Sequence, residues 1–187
     1  MQKTKLIFLR HADTQKDPTL NAALWVLSEQ GIKQAQDVSL LPEMQEAACI
    51  YVSEEQKTAL TAAPLASRLG KELCVKASFN EVKRGDAFLT KEAFEAEKDK
   101  QLIDLDYHAF GGESGYEALA RFTEGVAEVM KEHQGKTVLI VTHGTVLNIY
   151  FAECLHVLDQ LPERWRKTGF CAYGCVEDGV VAKDIVT

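Results

Sequence analysis

Two histidines in this 187-residue chain stand at the ends of apolar runs that are typical of buried strands. His11 follows Arg10 at the end of the first run, and His143 ends a second run far along the chain. In open α/β sheets, ligands bind at the edge where the carboxyl ends of parallel strands lie. Two imidazoles and a guanidinium brought together at that edge would suit a phosphoryl group. This pairing is the main indication of function in the sequence.

Alternating strand and helix patterns position these residues. The sequence predicts strands over 4–10, 49–52, 73–75 and 137–142, and two closing strands near 170–176 and 179–186 with a hairpin at Gly179. It predicts helices from Ser28 to a stop at Pro42, from about 55 to 69, from about 114 to 133 and from about 145 to 155. This order predicts a three-layer α/β/α sandwich with a mainly parallel sheet, in which the strand near 179–186 is a candidate for antiparallel pairing.

The stretch from 78 to 113 differs from the rest of the chain. It is polar, with a short charged helical piece around 91–100. A connection of this length is typical of a lid or substrate-binding segment. Since no repeat or linker divides the chain, we expect one domain over 1–187 with 78–113 as its lid. The candidate substrate contacts in the lid are Phe79, Phe88, Phe94, Tyr107, Phe110 and Arg84.

Composition excludes several partners. The net charge of -7 argues against nucleic acid and against an acidic membrane surface, because both favour a basic protein. No apolar stretch approaches the length of a membrane span, and the chain begins almost at once with a strand pattern, so a cytoplasmic location is expected. Cys171 and Cys175 lie four apart on one face of a strand-like run, which is a weak zinc signal. Reduced, buried thiols are the favoured interpretation of the five cysteines, with no metal.

Six short motifs now identify a family resemblance. Residues 10–14 (Arg-His-Ala-Asp-Thr) resemble the Arg-His-Gly-Glu-Thr signature of the histidine phosphatase superfamily, whose fold is the phosphoglycerate-mutase-like fold. The segments 27–35, 53–62, 79–85, 112–114 and 141–144 resemble later motifs of that family in the same order. Each motif is unspecific alone, but the ordered set is specific.

The resemblance implies a mechanism. Neutral His11 would attack phosphorus and form a phosphohistidine, with Arg10 and His143 neutralising the equatorial oxygens. The helix that begins near Gly144 would present backbone N–H groups to the same anion. Glu81 would protonate the leaving alkoxide and then activate the water that cleaves the phosphoenzyme. This scheme requires no metal and no cofactor.

Departures from the family pattern affect the phosphate site. Lys57 stands where the family has its second phosphate-binding arginine, and lysine lacks the bidentate fork of arginine. Lys57 either occupies the phosphate site or points to solvent, in which case Arg84 or Lys83 supplies the charge. Asp17 stands where mutases of the family carry a phosphate-contacting asparagine, and we expect it to face away or to meet Lys57. Ala12 replaces the usual glycine.

Two residues at the start of the long helix complete the candidate site. Glu113 and Ser114 are expected to cap that helix. The backbone N–H of Ser114 is a minor candidate for contact with the phosphate.

The leading hypothesis is a metal-independent phosphomonoesterase that acts through a phosphohistidine on a small phosphorylated metabolite. A phosphoglycerate-type mutase is second, because mutases are longer and carry Trp-Asn where this chain has Lys16-Asp17. A catalytically weakened phosphate-ester binding protein is third, on the strength of Lys57 and Ala12. A phosphohistidine-protein phosphatase is a further alternative, although that group generally lacks a segment like 78–113. The substrate and the oligomeric state stay open, with a homodimer among the options.

Overall fold

The computed structural model describes residues 3–84 and 90–186, apart from the side chains of Lys91 and Phe110. Six strands form one sheet: β1 (Lys5–Arg10), β2 (Cys49–Val52), β3 (Leu73–Val75), β4 (Thr137–Thr142), β5 (Tyr173–Glu177) and β6 (Val180–Lys183). Their order across the sheet is β3-β2-β4-β1-β5-β6. Neighbours from β3 to β1 pair in parallel, whereas β5 pairs antiparallel with β1 and β6 antiparallel with β5. The predicted mainly parallel sheet is confirmed: β5 runs opposite to the other strands, and β6 pairs antiparallel with it, as expected for the strand near 179–186.

The described residues also form seven α-helices. These are α1 (Glu29–Val38), α2 (Pro42–Gln45), α3 (Gln56–Leu69), α4 (Lys91–Ile103), α5 (Gly115–Glu132), α6 (Gly144–Leu155) and α7 (Leu161–Lys167). Pro42, expected to close the first helix, instead begins α2, because proline fits the first helical turn. The sequence patterns did not predict α7.

The two faces of the sheet bury separate apolar clusters, because successive strand residues point to opposite sides. On β1, Leu6 and Phe8 pack with residues of α5 and α6, whereas Ile7 and Leu9 pack with residues of α1, α2 and α3. Burial on both faces explains why the central strands are continuous apolar runs. The result is the three-layer α/β/α arrangement expected from the sequence.

Two expectations about individual residues are wrong. Phe79, expected to contact substrate, is fully buried in the core against Tyr51 and Phe122. Cys171 does not share a strand face with Cys175, because Cys171 adopts a left-handed conformation (φ 55°) before β5 begins.

The five cysteines are free thiols and are partly rather than fully buried. Within residues 3–84 and 90–186, no group of three or more His, Cys, Asp or Glu side chains could hold a metal ion. None of the helices in the described part of the chain is both long enough and apolar enough to cross a membrane.

Candidate active site

The two histidines meet at the carboxyl edge of the sheet because β1 and β4 are neighbours in parallel register. Arg10 lies opposite Thr142, and the next backbone N–H, that of His11, donates to the Thr142 carbonyl over 2.9 Å. The His11 and His143 rings lie 5.3 Å apart between centroids, at 62°. Their exposed fractions are 8% and 1%. The central juxtaposition expected from the sequence is therefore present.

One hydrogen bond fixes the tautomer of His11. Its Nδ1 lies 2.8 Å from the carbonyl oxygen of Ala12. Because a carbonyl can only accept, Nδ1 carries the proton and Nε2 of the neutral ring holds a lone pair. Burial lowers the pKa of His11 well below its ordinary value, and the nearby His143, Lys57 and Arg10 lower it further. At neutral pH this imidazole is therefore uncharged, with its lone pair on Nε2.

The turn that follows His11 is held by α1. The backbone N–H of Asp13 donates to Gln34 Oε1 over 2.9 Å, and the Ser28 hydroxyl donates to the Asp13 carboxylate over 2.6 Å. Gly31 allows the close approach, since a Cβ there would lie 2.0 Å from the Asp13 carbonyl oxygen. The motif over 27–35 therefore positions the turn after His11, and Asp13 serves as its anchor.

Arg10 is held at the beginning of α6. Its Nη1 donates to the carbonyl of Thr168, and its guanidinium carbon lies 4.4 Å from the centroid of the Phe170 ring. A Cβ on Gly144 would lie only 2.9 Å from Arg10 Nε. Thr168 and Phe170 carry no sequence signal, because they lie in an irregular segment before β5. Within the described part of the chain, Nε of Arg10 is buried without a hydrogen-bond partner.

His143 is held from the other side by the segment that follows β2. Its Nε2 lies 2.8 Å from Ser53 Oγ and 3.4 Å from Glu55 Oε1. Burial lowers the pKa of His143 to about 4, although Glu55 and Glu81 act in the opposite direction. The ring is thus neutral at physiological pH in this state, and the oxygen atoms of Ser53 and Glu55 are the neighbours of its Nε2.

Lys57 lies inside the site and does not point to solvent. It is 5% exposed, and its Nζ lies 2.6 Å from Glu55 Oε2 and donates to the Ala22 carbonyl over 2.8 Å. The alternative that placed Lys57 in solvent is wrong, because this ammonium group is held by a carboxylate and a carbonyl. Arg84 is close enough to His143 to lower its pKa, and its guanidinium carbon lies 4.7 Å from the Phe94 ring centroid.

Asp17 does not meet Lys57, and Ser114 caps α5 as expected. The Asp17 carboxylate accepts from the backbone N–H and the hydroxyl of Thr19, and these bonds lower its pKa. The ion pair of Lys57 is with Glu55 rather than Asp17. The N–H of Ser114 donates to Glu117 Oε2 while its hydroxyl accepts from the Glu117 N–H, so this capping box uses the N–H suggested for phosphate.

Glu81 occupies the N-terminus of α6. Its carboxylate accepts from the backbone N–H groups of Thr145, Val146 and Val82, each over 3.0 Å. Burial raises the pKa of Glu81, but His143, Lys98, Arg84 and the Thr145 N–H outweigh burial, so the pKa lies below its ordinary value. The helix N–H groups expected to face phosphate are thus largely used by Glu81, because a carboxylate is also an anion that this terminus binds.

The segment that carries Glu81 is clamped by Arg121 on α5. The guanidinium donates to the carbonyls of Ser78 and Asn80 over 2.8 and 3.2 Å. It also binds both carboxylate oxygens of Glu113 over 2.9 and 2.8 Å. Glu113 therefore does not cap α5 as expected, whereas Ser114 does. The clamp positions the segment that carries Glu81; Arg121 carried no sequence signal, and Glu113 was expected to have a different role.

Lys98 is a further cation at the site. It is 1% exposed on α4, and its Nζ donates to Thr145 Oγ1 and Gln101 Oε1, each over 3.1 Å. Burial lowers its pKa to about 7, against the opposing effect of Glu81. The pattern around Lys98 did not indicate this position, because a lysine in a charged helix normally faces solvent.

The family model for the histidine phosphatase superfamily (branch 1) matches residues 6–180. A comparison with curated protein sequences finds no match at a significant level.

Three solved structures illustrate the likeness of fold. The native mycobacterial glucosyl-3-phosphoglycerate phosphatase is 21% identical with a TM-score of 0.82, and the match covers 100% of each chain. The YhfR protein of Bacillus stearothermophilus is 24% identical with a TM-score of 0.80, over 96% of this chain and 95% of that one. A phosphoserine complex of a phosphoserine phosphatase variant from Entamoeba histolytica is 21% identical with a TM-score of 0.74, over 92% and 89%. With the family model spanning most of its length, the chain belongs to branch 1 of the histidine phosphatase superfamily.

Proposed function

We propose that this protein is a metal-independent phosphomonoesterase that acts through a phosphohistidine on a small phosphorylated metabolite. The observation that carries the proposal is the His11 tautomer, with Nδ1 bonded to the Ala12 carbonyl and Nε2 left as the nucleophile. A second observation supports the anion site: Nε of Arg10 is a buried donor without a hydrogen-bond partner in the described residues. An oxygen of a bound phosphoryl group would satisfy that donor.

In the first step, the lone pair on His11 Nε2 forms a bond to phosphorus while the bond from phosphorus to the ester oxygen breaks. Arg10 and His143 would stabilise the charge on the equatorial oxygens. The N–H of Gly144, first residue of α6, is proposed as a further donor to those oxygens. The departing alkoxide takes a proton, and Glu81 is the proposed donor. Because Glu81 is ionised in this state, it must first gain a proton, which the approach of a dianion favours by raising the pKa of the carboxyl group.

In the second step, a water oxygen attacks phosphorus and the bond between phosphorus and His11 Nε2 breaks. Glu81 accepts a proton from that water, which the ionised carboxylate can do directly. Inorganic phosphate leaves and His11 returns to its neutral tautomer. Apart from the substrate and water, every group that takes part in this scheme is a side chain or backbone group of the chain.

A small-molecule substrate is favoured by two of the similar structures, which carry the names glucosyl-3-phosphoglycerate phosphatase and phosphoserine phosphatase. These names also favour a phosphatase over a mutase for this chain. We propose that substrate choice depends on the segment 78–113, in which Arg84 and Phe94 lie together near Glu81. Phe88 and the side chain of Phe110 lie outside the described residues.

The test is phosphate release from an activated aryl phosphate, with EDTA present, by wild type and the His11→Ala variant. The proposal predicts turnover by wild type that EDTA does not reduce, and none by His11→Ala at unchanged thermal stability. Turnover that EDTA abolishes, or that persists in folded His11→Ala, would show that the proposed mechanism is wrong.

The second candidate is a phosphate-ester binding protein with weakened catalysis. The pairing of Lys57 with Glu55 favours it, because this pairing neutralises the cation at the second phosphate-binding position. It predicts stabilisation of the fold by phosphate or vanadate in both proteins, without turnover by either.

A further inference from the structure

A single carboxylate contacts three residues of the proposed site. Glu55 Oε2 lies 2.6 Å from Lys57 Nζ, and Glu55 Oε1 lies 3.4 Å from His143 Nε2. The same Oε1 accepts the backbone N–H of Glu81 over 3.3 Å. Glu55 is itself held at the beginning of α3, where its N–H donates to Ser53 Oγ. None of these contacts requires a substrate, so the carboxylate is already in place in this state.

Glu55 changes the charge balance of the pocket. Its negative charge offsets the positive charge of Lys57, and Glu81 likewise offsets part of the positive charge of Arg84 and Lys98. A phosphoryl dianion that enters next to His143 therefore meets carboxylates as well as cations. Protonation of the imidazole would restore the balance, since the ring would then stand between the incoming anion and Glu55. The titratable groups that face His143 are His11 directly after β1, Glu55 and Lys57 from the start of α3, and Glu81 and Arg84 from the loop before α4.

We propose that Glu55 is a positioning residue that makes His143 take up a proton when a tetrahedral dianion binds. The proposal rests on the proposed function, because it requires an anion at the His11–His143 pair. In the bound state Nε2–H of His143 remains directed to Ser53 Oγ and Glu55, and the added proton resides on Nδ1. Glu55 stabilises this imidazolium as a buried carboxylate stabilises its partner histidine in other enzymes.

The expected effect follows from proton linkage. In the free protein the pKa of His143 is about 4, so the ring is neutral above about pH 5. Binding coupled to one proton weakens about tenfold for each pH unit, as long as the bound state stays protonated. Anion binding by wild type is therefore expected to weaken steadily as the pH rises from about 5 to about 8.

Sulfate is the probe, because its charge is constant over this range and it cannot be hydrolysed. Calorimetric titration in two buffers of different ionisation heat measures proton uptake directly. Wild type is expected to take up about one proton per sulfate more than Glu55→Gln, which should also show a flatter pH dependence, because any proton that Glu81 gains is common to both proteins. Glu54→Gln is the matched control, because it makes the same charge change at the exposed neighbouring carboxylate and should retain the uptake.

The outcomes separate this inference from the proposed function. Sulfate binding by wild type without proton uptake, or equal uptake by folded Glu55→Gln, overturns the role of Glu55 and leaves the phosphatase proposal standing. No sulfate binding by wild type at any pH overturns both. If Glu55→Gln does not fold, the side-chain nitrogen resonances of His143 in sulfate-saturated wild type decide: an imidazolium supports the proposal and a neutral ring overturns it.

Discussion

The contact between Gly144 and Arg10 gives a sharp test of the phosphate site. Gly144 is the first residue of α6, and a Cβ added there would lie 2.9 Å from Arg10 Nε and 3.0 Å from its guanidinium carbon. Ordinary contacts between such atoms are about 3.5 Å or longer. In a Gly144→Ala variant the guanidinium must therefore retreat by about half an ångström.

The expected cost is catalytic rather than structural. Misplacing a group by about 1 Å can reduce rates by about a hundredfold, so a shift of about half that distance should lower kcat/KM by about tenfold, or about 1.4 kcal/mol. The free energy of unfolding should change by no more than about 1 kcal/mol, because alanine is a better helix former than glycine. The variant should thus be folded and slow.

The assay is kcat/KM with an activated aryl phosphate, together with denaturant unfolding. Gly169→Ala is the matched control, since a Cβ at this nearby glycine would meet no atom within 4 Å. We expect the control to retain wild-type activity. A Gly144→Ala variant as active as the control would refute the claim that Arg10 binds the phosphoryl group from this position.

Three further predictions concern Glu81 and the residues that hold it. Glu81→Gln should slow the phosphorylation step most for aryl phosphates with poor leaving groups, so the dependence of kcat/KM on leaving-group pKa should steepen; an unchanged slope would remove Glu81 from proton transfer. Lys98→Met removes a cation that lowers the pKa of Glu81, so the pKa rises, less carboxylate is ionised at a given pH, and the acidic limb of the kcat profile should move to higher pH. If the limb stays in place, Lys98 does not act on Glu81. Arg121→Ala removes the clamp on residues 78–83 and should reduce the free energy of unfolding by about 2 kcal/mol, with a fall in kcat; stability and rate equal to wild type would show that the clamp is dispensable.

The positions of His11 and His143 were predictable because strand ends follow directly from apolar runs. Both runs are buried on two faces and lie side by side in parallel, so the residues after them meet at one edge. The motif around Gly31 and Gln34 was also recognisable, although its task of holding Asp13 appears only in three dimensions.

The electrostatic partners of the site could not be predicted, because they depend on long-range contacts. Glu55 occupies a variable position of its motif, and its contacts with Lys57 and His143 depend on how α3 begins. Glu81 was identified as a site carboxylate, but not as the ligand of the α6 N-terminus, which lies more than sixty residues away in sequence. Lys98 follows a pattern typical of an exposed helix and is nevertheless buried.

The most direct test of the central claim is to trap the covalent intermediate on His11. Glu81→Gln should form the phosphoenzyme from an activated aryl phosphate but hydrolyse it slowly, because the leaving group needs no acid whereas the water needs a base. Quenching in alkali and measuring the intact mass, followed by peptide mapping, should find one phosphoryl group on His11, labile to acid. The double variant with His11→Ala should carry none. A phosphoryl group on another residue, or turnover by wild type with no label in either variant, would contradict nucleophilic attack by His11.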